Sequence, residues 1–148
     1  MKTIYLAVMA RLKKEVPQLK WIDLDCGQID NQKERPGVAF PCVVIGITIN
    51  NCEDQYSKVQ ICRAQVSIRI AQNPPVSRTS SEAADDARES SMARYQLIED
   101  VYVALQGYGT PEFNPLSRRR QFGEKRTDGL FVYRIDFETE YQEIEVGD

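Results

Sequence analysis

The sequence predicts an α+β fold: one domain, with a mostly antiparallel sheet of about four to five strands and two helices packed on it. The predicted order is α-β-β-β-α-β-β. Three observations carry this. Two segments repeat apolar residues at helical spacing, and five others are β-branched or alternate with a period of two. The chain has 148 residues, the length of one domain and enough to bury a core without staples. No internal repeat, low-complexity tract or composition break divides residues 1–148.

Ile4, Val8, Leu12 and Val16 recur at intervals of four, beside Tyr5 and Met9, and predict an amphipathic helix from about Thr3 to Val16. Pro17 stops it, because proline lacks an amide hydrogen and restricts the residue before it. Lys20 to Asp25 predicts a short strand ended by Cys26-Gly27, and Gln28 to Gly37 reads as an exposed polar loop.

Val38 to Asn50 is apolar on both faces and β-branched, the pattern of a strand covered on both sides. Asn51 to Gln55 is expected to connect it to the next strand, Val59 to Gln72. There Cys62, Ala64, Val66, Ile68 and Ile70 take one face, and Arg63, Gln65, Ser67 and Arg69 the other. So short a connection leaves no room for a parallel crossover, which predicts an antiparallel hairpin.

Asn73 to Arg78 breaks the pattern. Thr79 and Glu82 have the spacing of a capping box, from which a helix is expected to run to Gln106. Its buried side is predicted as Met92, Tyr95, Ile98, Tyr102 and Leu105, with Gly107 at the end. Leu116 to Thr127 predicts a strand, and Asp128-Gly129 has the composition of a two-residue hairpin turn. In the last strand Phe131, Tyr133, Ile135 and Phe137 are expected inward, and Val132, Arg134, Asp136 and Glu138 outward.

Composition narrows the chemistry. The chain has no histidine, so it lacks the commonest general base and metal ligand and every Ser/His or Cys/His pair. No phosphate-binding glycine loop is present, and no base neighbours Ser80-Ser81 or Ser90-Ser91. These absences predict a protein with no catalytic residues and no cofactor. With 19 basic and 22 acidic residues the charge is nearly balanced, which argues against a general attachment to nucleic acid or anionic membrane.

Cys26, Cys42, Cys52 and Cys62 have no CxxC spacing. They read as small core hydrophobes of a reduced cytoplasmic protein, with a four-cysteine zinc site or two disulfides as alternatives. The apolar run Ile4–Ala10 leads straight into Arg11, Lys13 and Lys14, unlike a cleavable signal peptide. No segment has the ~20 apolar residues that span a bilayer.

Arg118, Arg119 and Arg120, followed by Lys125 and Arg126, form the local cationic excess. Asp136, Glu138, Glu140, Glu143, Glu145 and Asp148 form the opposing acidic end. Arg118–Arg120, Lys125, Arg126, Glu138 and Glu140 are therefore the candidate subunit or partner interface. A solvated hairpin, a contact between subunits and a nucleic-acid contact all fit this pattern. Asp23 and Asp25, on one face of the short strand, are a pair that could hold a divalent metal, as a nuclease site would require.

Several segments, in order, resemble the tail-terminator (tail-completion, or head–tail joining) proteins of long-tailed phages and prophages. They are the opening helix, Lys20–Gln28, Phe40-Pro41-Cys42-Val43-Val44-Ile45, Ala64–Ile70, Ala104-Leu105-Gln106-Gly107-Tyr108 and Phe113–Arg119. The likeness spans nearly the whole chain and rests on layout and segment type. It implies a small α/β protein that assembles, usually as a hexameric ring, on the last ring of the tail tube. Such a ring halts tube polymerisation and meets the head connector, while DNA passes through its lumen without sequence-specific binding. It also implies assembly in the cytoplasm and residence in the virion tail. Gln28–Gly37, Asn73–Ser77 and the polar half of the second helix would supply docking surfaces. A small-ligand-binding or regulatory α/β domain is the alternative and would need a concave pocket.

Overall fold

A computed structural model of the protein describes residues 1–31, 33, 38–73 and 79–144. The interval-of-four repeat forms helix α1 (Lys2–Glu15), with Ile4, Val8 and Leu12 buried on one side. Val16 caps it, its amide donating to the Leu12 carbonyl at 2.9 Å, and Pro17 follows. Strands β1 (Trp21–Leu24), β2 (Cys42–Tyr56), β3 (Val59–Gln72), β4 (Ser117–Gly123) and β5 (Phe131–Ile144) form one mixed sheet. Its spatial order is β1-β2-β3-β5-β4. Helix α2 (Asp85–Leu105) lies between β3 and β4 in sequence.

This is the α+β fold and element order that the sequence predicts. β1 runs parallel to β2, while the other three pairings are antiparallel. The parallel pair is possible because the chain between them is long enough to cross over the sheet. Among the described residues no helix is long and apolar enough to cross a membrane.

The main core lies between one sheet face and both helices. Val43, Ile45, Ala64, Val66, Ile68, Ile70, Ile135 and Phe137 meet Ile4, Val8 and Leu12 of α1 and Leu97, Ile98, Val101 and Leu105 of α2. The other face has a smaller cluster at one end, where Ile29 packs on Cys42, Val44, Ala71 and Val132. Cys42–Ile45 is thus covered on both sides, as the apolar run predicts, but coverage ends there. Val132, expected outward, is buried in this second cluster.

β2 starts at Cys42 rather than at the expected Val38, and three further boundaries differ from expectation. The segment Asn51–Gln55 is not a connection: β2 continues through it to Tyr56, and Ser57-Lys58 makes the turn, with Ser57 at φ +44°. This end of the hairpin is an arm in which the β2 residues Asn51–Tyr56 are exposed and have no reason to alternate in polarity, whereas Val59 and Cys62 on β3 are buried. Helix α2 begins at Asp85, with Ala84 at the N-cap and no side-chain cap, so the Thr79/Glu82 box does not start it. Asp85 and Asp86 sit in its first turn, where the helix dipole favours acids. Asp128-Gly129 does not make a two-residue hairpin, because β4 ends at Gly123 and β5 starts at Phe131. The intervening chain is drawn into ion pairs described below.

The buried stripe of α2 is also rotated. Ile98 and Leu105 are buried as expected, but Met92 and Tyr95 are 43% and 44% exposed. Ser91, Val101 and Ala104 take the inner positions, where small side chains let helix and sheet approach closely. Tyr95 instead meets the rings of Phe131 and Tyr133 edge-on, at 5.6 and 6.3 Å between centroids. Gly107 ends the helix region at φ +77°, a conformation that glycine adopts without steric cost.

Cys42 and Cys62 are buried, as small core residues should be, whereas Cys26 and Cys52 are exposed. Burial pushes the Cys42 thiol up to about 11, which makes it a poor nucleophile. Cys52 and Cys62 are direct cross-strand partners in the arm. Opposed residues on antiparallel strands have Cα atoms within disulfide range. Mild oxidation with a low-molecular-weight disulfide is therefore expected to join Cys52 to Cys62, with loss of two hydrogens by mass spectrometry. A product linking any other pair, or none, would contradict the register of the arm.

Candidate assembly surface

Beyond the small cluster at its β1 end, the sheet face away from the helices carries charge. Strand alternation places Arg63 and Arg69 of β3, Arg120 of β4, and Arg134, Asp136, Glu138 and Glu140 of β5 on it. Two ion-pair groups result.

The first group joins the basic edge to the acidic strand. Arg120 Nε donates to Asp136 at 2.6 Å, and Arg134 Nε donates to the other oxygen at 2.8 Å. Arg119 is 3.6 Å from Glu138. Arg63 reaches Glu138 at 3.3 Å and Glu140 at 3.0 Å. Asp136 faces outward, as its place in the alternation predicts, but it is buried, at 1% exposure. Burial pushes its carboxyl up, but hydrogen bonds from Arg134, Arg120 and Ser67 outweigh this and hold it below the usual range.

The second group closes the β1 end. Arg69 donates to both oxygens of Glu124 at 2.8 Å and to both of Asp30 at 2.9 and 3.0 Å, and reaches Asp25 at 3.3 Å. Arg126 adds Asp128 at 2.6 Å, Asp30 at 2.9 Å and the Ile29 carbonyl at 2.9 Å. Glu124, Arg126 and Asp128 are therefore held away from a tight turn. Hydrogen bonding from Arg69, helped by Arg126, pulls the Asp30 carboxyl down to about 2. A depressed folded value stabilises above the unfolded value of ~3.9 and is lost as pH falls towards 2. Asp30→Asn is expected to flatten the loss of stability between about pH 5 and 2.5, measured as urea midpoints. An unchanged pH profile would show that Asp30 is solvated.

The candidate residues thus divide. Arg119, Arg120, Glu138 and Glu140 are brought together on the open face. Arg118 points to the helix side, its guanidinium 3.9 Å over the Tyr102 ring and donating to Gln121 at 3.0 Å. Lys125 is exposed in the chain between β4 and β5. Arg126 belongs to the second group and is only 11% exposed. Asp136, Arg63, Arg69, Asp30 and Glu124 were missed as site residues. The signal available for Arg63 and Arg69 was their place on the polar side of a strictly alternating strand. Asp136 stood in the acidic end beside Glu138 and Glu140, and nothing local marked Asp30 and Glu124, whose partner Arg69 lies far away in sequence.

Asp23 and Asp25 do not form a pair on one strand face, since β1 ends at Leu24. Asp23 accepts from Trp21 Nε1 at 3.3 Å and the Leu24 amide at 2.7 Å, while Asp25 accepts from Gly27 and Arg69. No group of three or more acids or cysteines is arranged to hold a metal among the described residues. A hollow of about 290 Å³ lies between Phe113 and Tyr141, slightly below the ~300–1,000 Å³ typical of ligand pockets. A larger one, about 490 Å³, is walled by Asp54, Ser57, Lys58, Gln60 and Glu143, with no apolar side chain. Of the expected docking segments, positions 32, 34–37 and 74–77 lie outside the described residues, as do Glu145 and Asp148. Neither a protein-family model nor a curated protein matches the chain.

Proposed function

We propose that this protein is a non-enzymatic structural component of a phage or prophage tail, forming a ring, hexameric by the resemblance, that caps the tail tube. The ring would stop tube polymerisation and present a surface to the head connector, with DNA passing through its lumen. The protein would act in the cytoplasm during assembly and remain in the virion tail. The ordered segments that resemble tail terminators support this reading. The observation that carries it in the structure is where the chemistry sits: charged side chains are spread over an open sheet face and two strand edges. A broad charged face can steer and orient a protein partner, whereas small-ligand sites are concave and mostly apolar.

The test is to add the purified protein to polymerising tail-tube protein. Shortened tubes with a ring of added density at one end are expected in electron micrographs. Tubes of unchanged length with bare ends would refute the proposal.

A further inference from the structure

Two thiols face each other in the arm. Cys52 of β2 and Cys62 of β3 are direct cross-strand partners, and their thiols are hydrogen-bonded, so both side chains lie on the same face of the sheet. On its other side Cys62 is opposite Tyr141 of β5, which is also hydrogen-bonded to it. The two thiols differ in access: Cys52 is exposed, whereas Cys62 is buried, at 2% exposure. Burial first, and the neighbouring Cys52 thiol second, push the Cys62 thiol up from its ordinary value, which keeps it in the unreactive protonated form. The other two cysteines have no such arrangement. Cys26 is exposed, and the register puts Cys42 opposite Trp21, at the far end of β1 from Cys26.

The ladder around the thiol pair is weak. β2 and β3 shift register between Ile49 and Asn51 and again between Asp54 and Tyr56, so Cys52 sits on a short paired run between two irregularities. β1 covers only Cys42–Ile45, so the outer edge of β2 here has no strand neighbour among the described residues. A segment with exposed backbone hydrogen bonds opens locally at low free energy.

We propose that Cys52 and Cys62 are a reversible exchange site for a low-molecular-weight disulfide: Cys52 takes the oxidant, Cys62 resolves it, and the closed bond locks the arm. The Cys52 thiolate attacks one sulfur of the reagent, and the first small thiolate leaves with the electron pair of the broken S–S bond. The Cys62 thiolate then attacks Cys52 Sγ and expels the second. The protons of Cys52 and Cys62 end on the two released thiols; the protein pair loses two electrons and the reagent gains them. Cys62 needs no access of its own, because the sulfur it attacks is already its neighbour. A one-residue slip of β2 would carry Cys52 to the other face of the sheet, so the bond also fixes the register between the two irregularities. The exchange site stands apart from any role in a tail.

Incubation of the folded chain with oxidised glutathione tests the roles, with every cysteine mapped by mass spectrometry. Wild type is expected to gain the Cys52–Cys62 bond and to keep glutathione on Cys26 alone, an exposed thiol with no resolving partner in register. Cys62→Ser should retain glutathione on Cys52 as well. In Cys52→Ser, Cys62 should react about tenfold or more slowly than Cys52 does in Cys62→Ser. If Cys62→Ser fails to fold, Cys62→Ala gives the same readout without a hydroxyl in a buried site. A reducing dithiol should reopen the bond, and amide hydrogen exchange in residues 46–64 should be about tenfold slower in the closed form than in the reopened one. Glutathione that stays on Cys52 of the wild type as it does in Cys62→Ser would overturn the exchange site. Equal reactivity of Cys62 and Cys52 would overturn the assigned roles, and unchanged hydrogen exchange would overturn the lock.

Discussion

Arg69→Ala is expected to lower the unfolding free energy by about 3 kcal/mol, near the bottom of the range for breaking a buried ion pair. Arg69 is 11% exposed at its side chain and serves Glu124, Asp30 and Asp25 together. Truncation leaves Glu124, itself 19% exposed, in a site with little water to replace the lost donors. Arg126 lies 3.6 Å from Glu124 and 2.9 Å from Asp30 and can compensate in part, which is why the low end of the range applies. Urea unfolding at neutral pH measures the loss. Paired replacement of Arg69 and Glu124 by apolar residues should recover much of it, since most of the cost is a stranded charge. A loss below about 1 kcal/mol for Arg69→Ala would mean that these acids are hydrated and that the group is no clamp. Hydrogen exchange should localise the damage to residues 25–31 and 124–130, which the arginine ties to β3.

The consequence extends to the edges. Residues 124–130 link β4 to β5, so the second ion-pair group fixes how the basic edge leaves the sheet. Arg126 lay in the cationic run and was expected at the interface; its contribution is to this internal clamp. Lys125, its neighbour, remains exposed.

What could be read from sequence followed from water on one side and core on the other. The interval-of-four repeat located α1 within a residue or two, and strict alternation located β3 from Val59 to Gln72. Where both faces are wet, as in Asn51–Gln55, no alternation exists and β2 was cut short. Where a helix packs through small residues, as α2 does at Ser91 and Ala104, the larger Met92 and Tyr95 misplace the buried stripe. The candidate surface was legible as opposed runs of charge. Its internal pairing was not, because Arg63 and Glu140 are 77 residues apart in sequence and Arg69 and Glu124 are 55 apart. Burial of Asp136 was hidden for the same reason: it depends on arginines from two strands closing over one carboxylate.

Asp136→Ala is expected to cost about 2 kcal/mol and to loosen the basic edge. The carboxylate holds Arg120 of β4 and Arg134 of its own strand, and its depressed titration means that both bonds favour the charged form. Arg120 is 60% exposed and can hydrate when released, and Arg134 keeps Ser67 Oγ at 3.0 Å, so the loss stays below that of a sealed pair. Arg120→Ala should cost less than Asp136→Ala, because Arg134 still neutralises the buried acid. The double variant should cost less than the sum, by roughly 0.5–3 kcal/mol if the pair is coupled. Strict additivity would show that Asp136 serves Arg134 alone. Because the folded value is depressed, this contribution is present above ~3.9 and fades as pH falls below it. Acid should therefore free the Arg120 edge and strip stability together, while Asp136→Asn, neutral at every pH, should show the freed edge without the acid dependence. An Asp136→Asn protein that keeps the steep acid loss of the wild type would place that loss on other carboxylates.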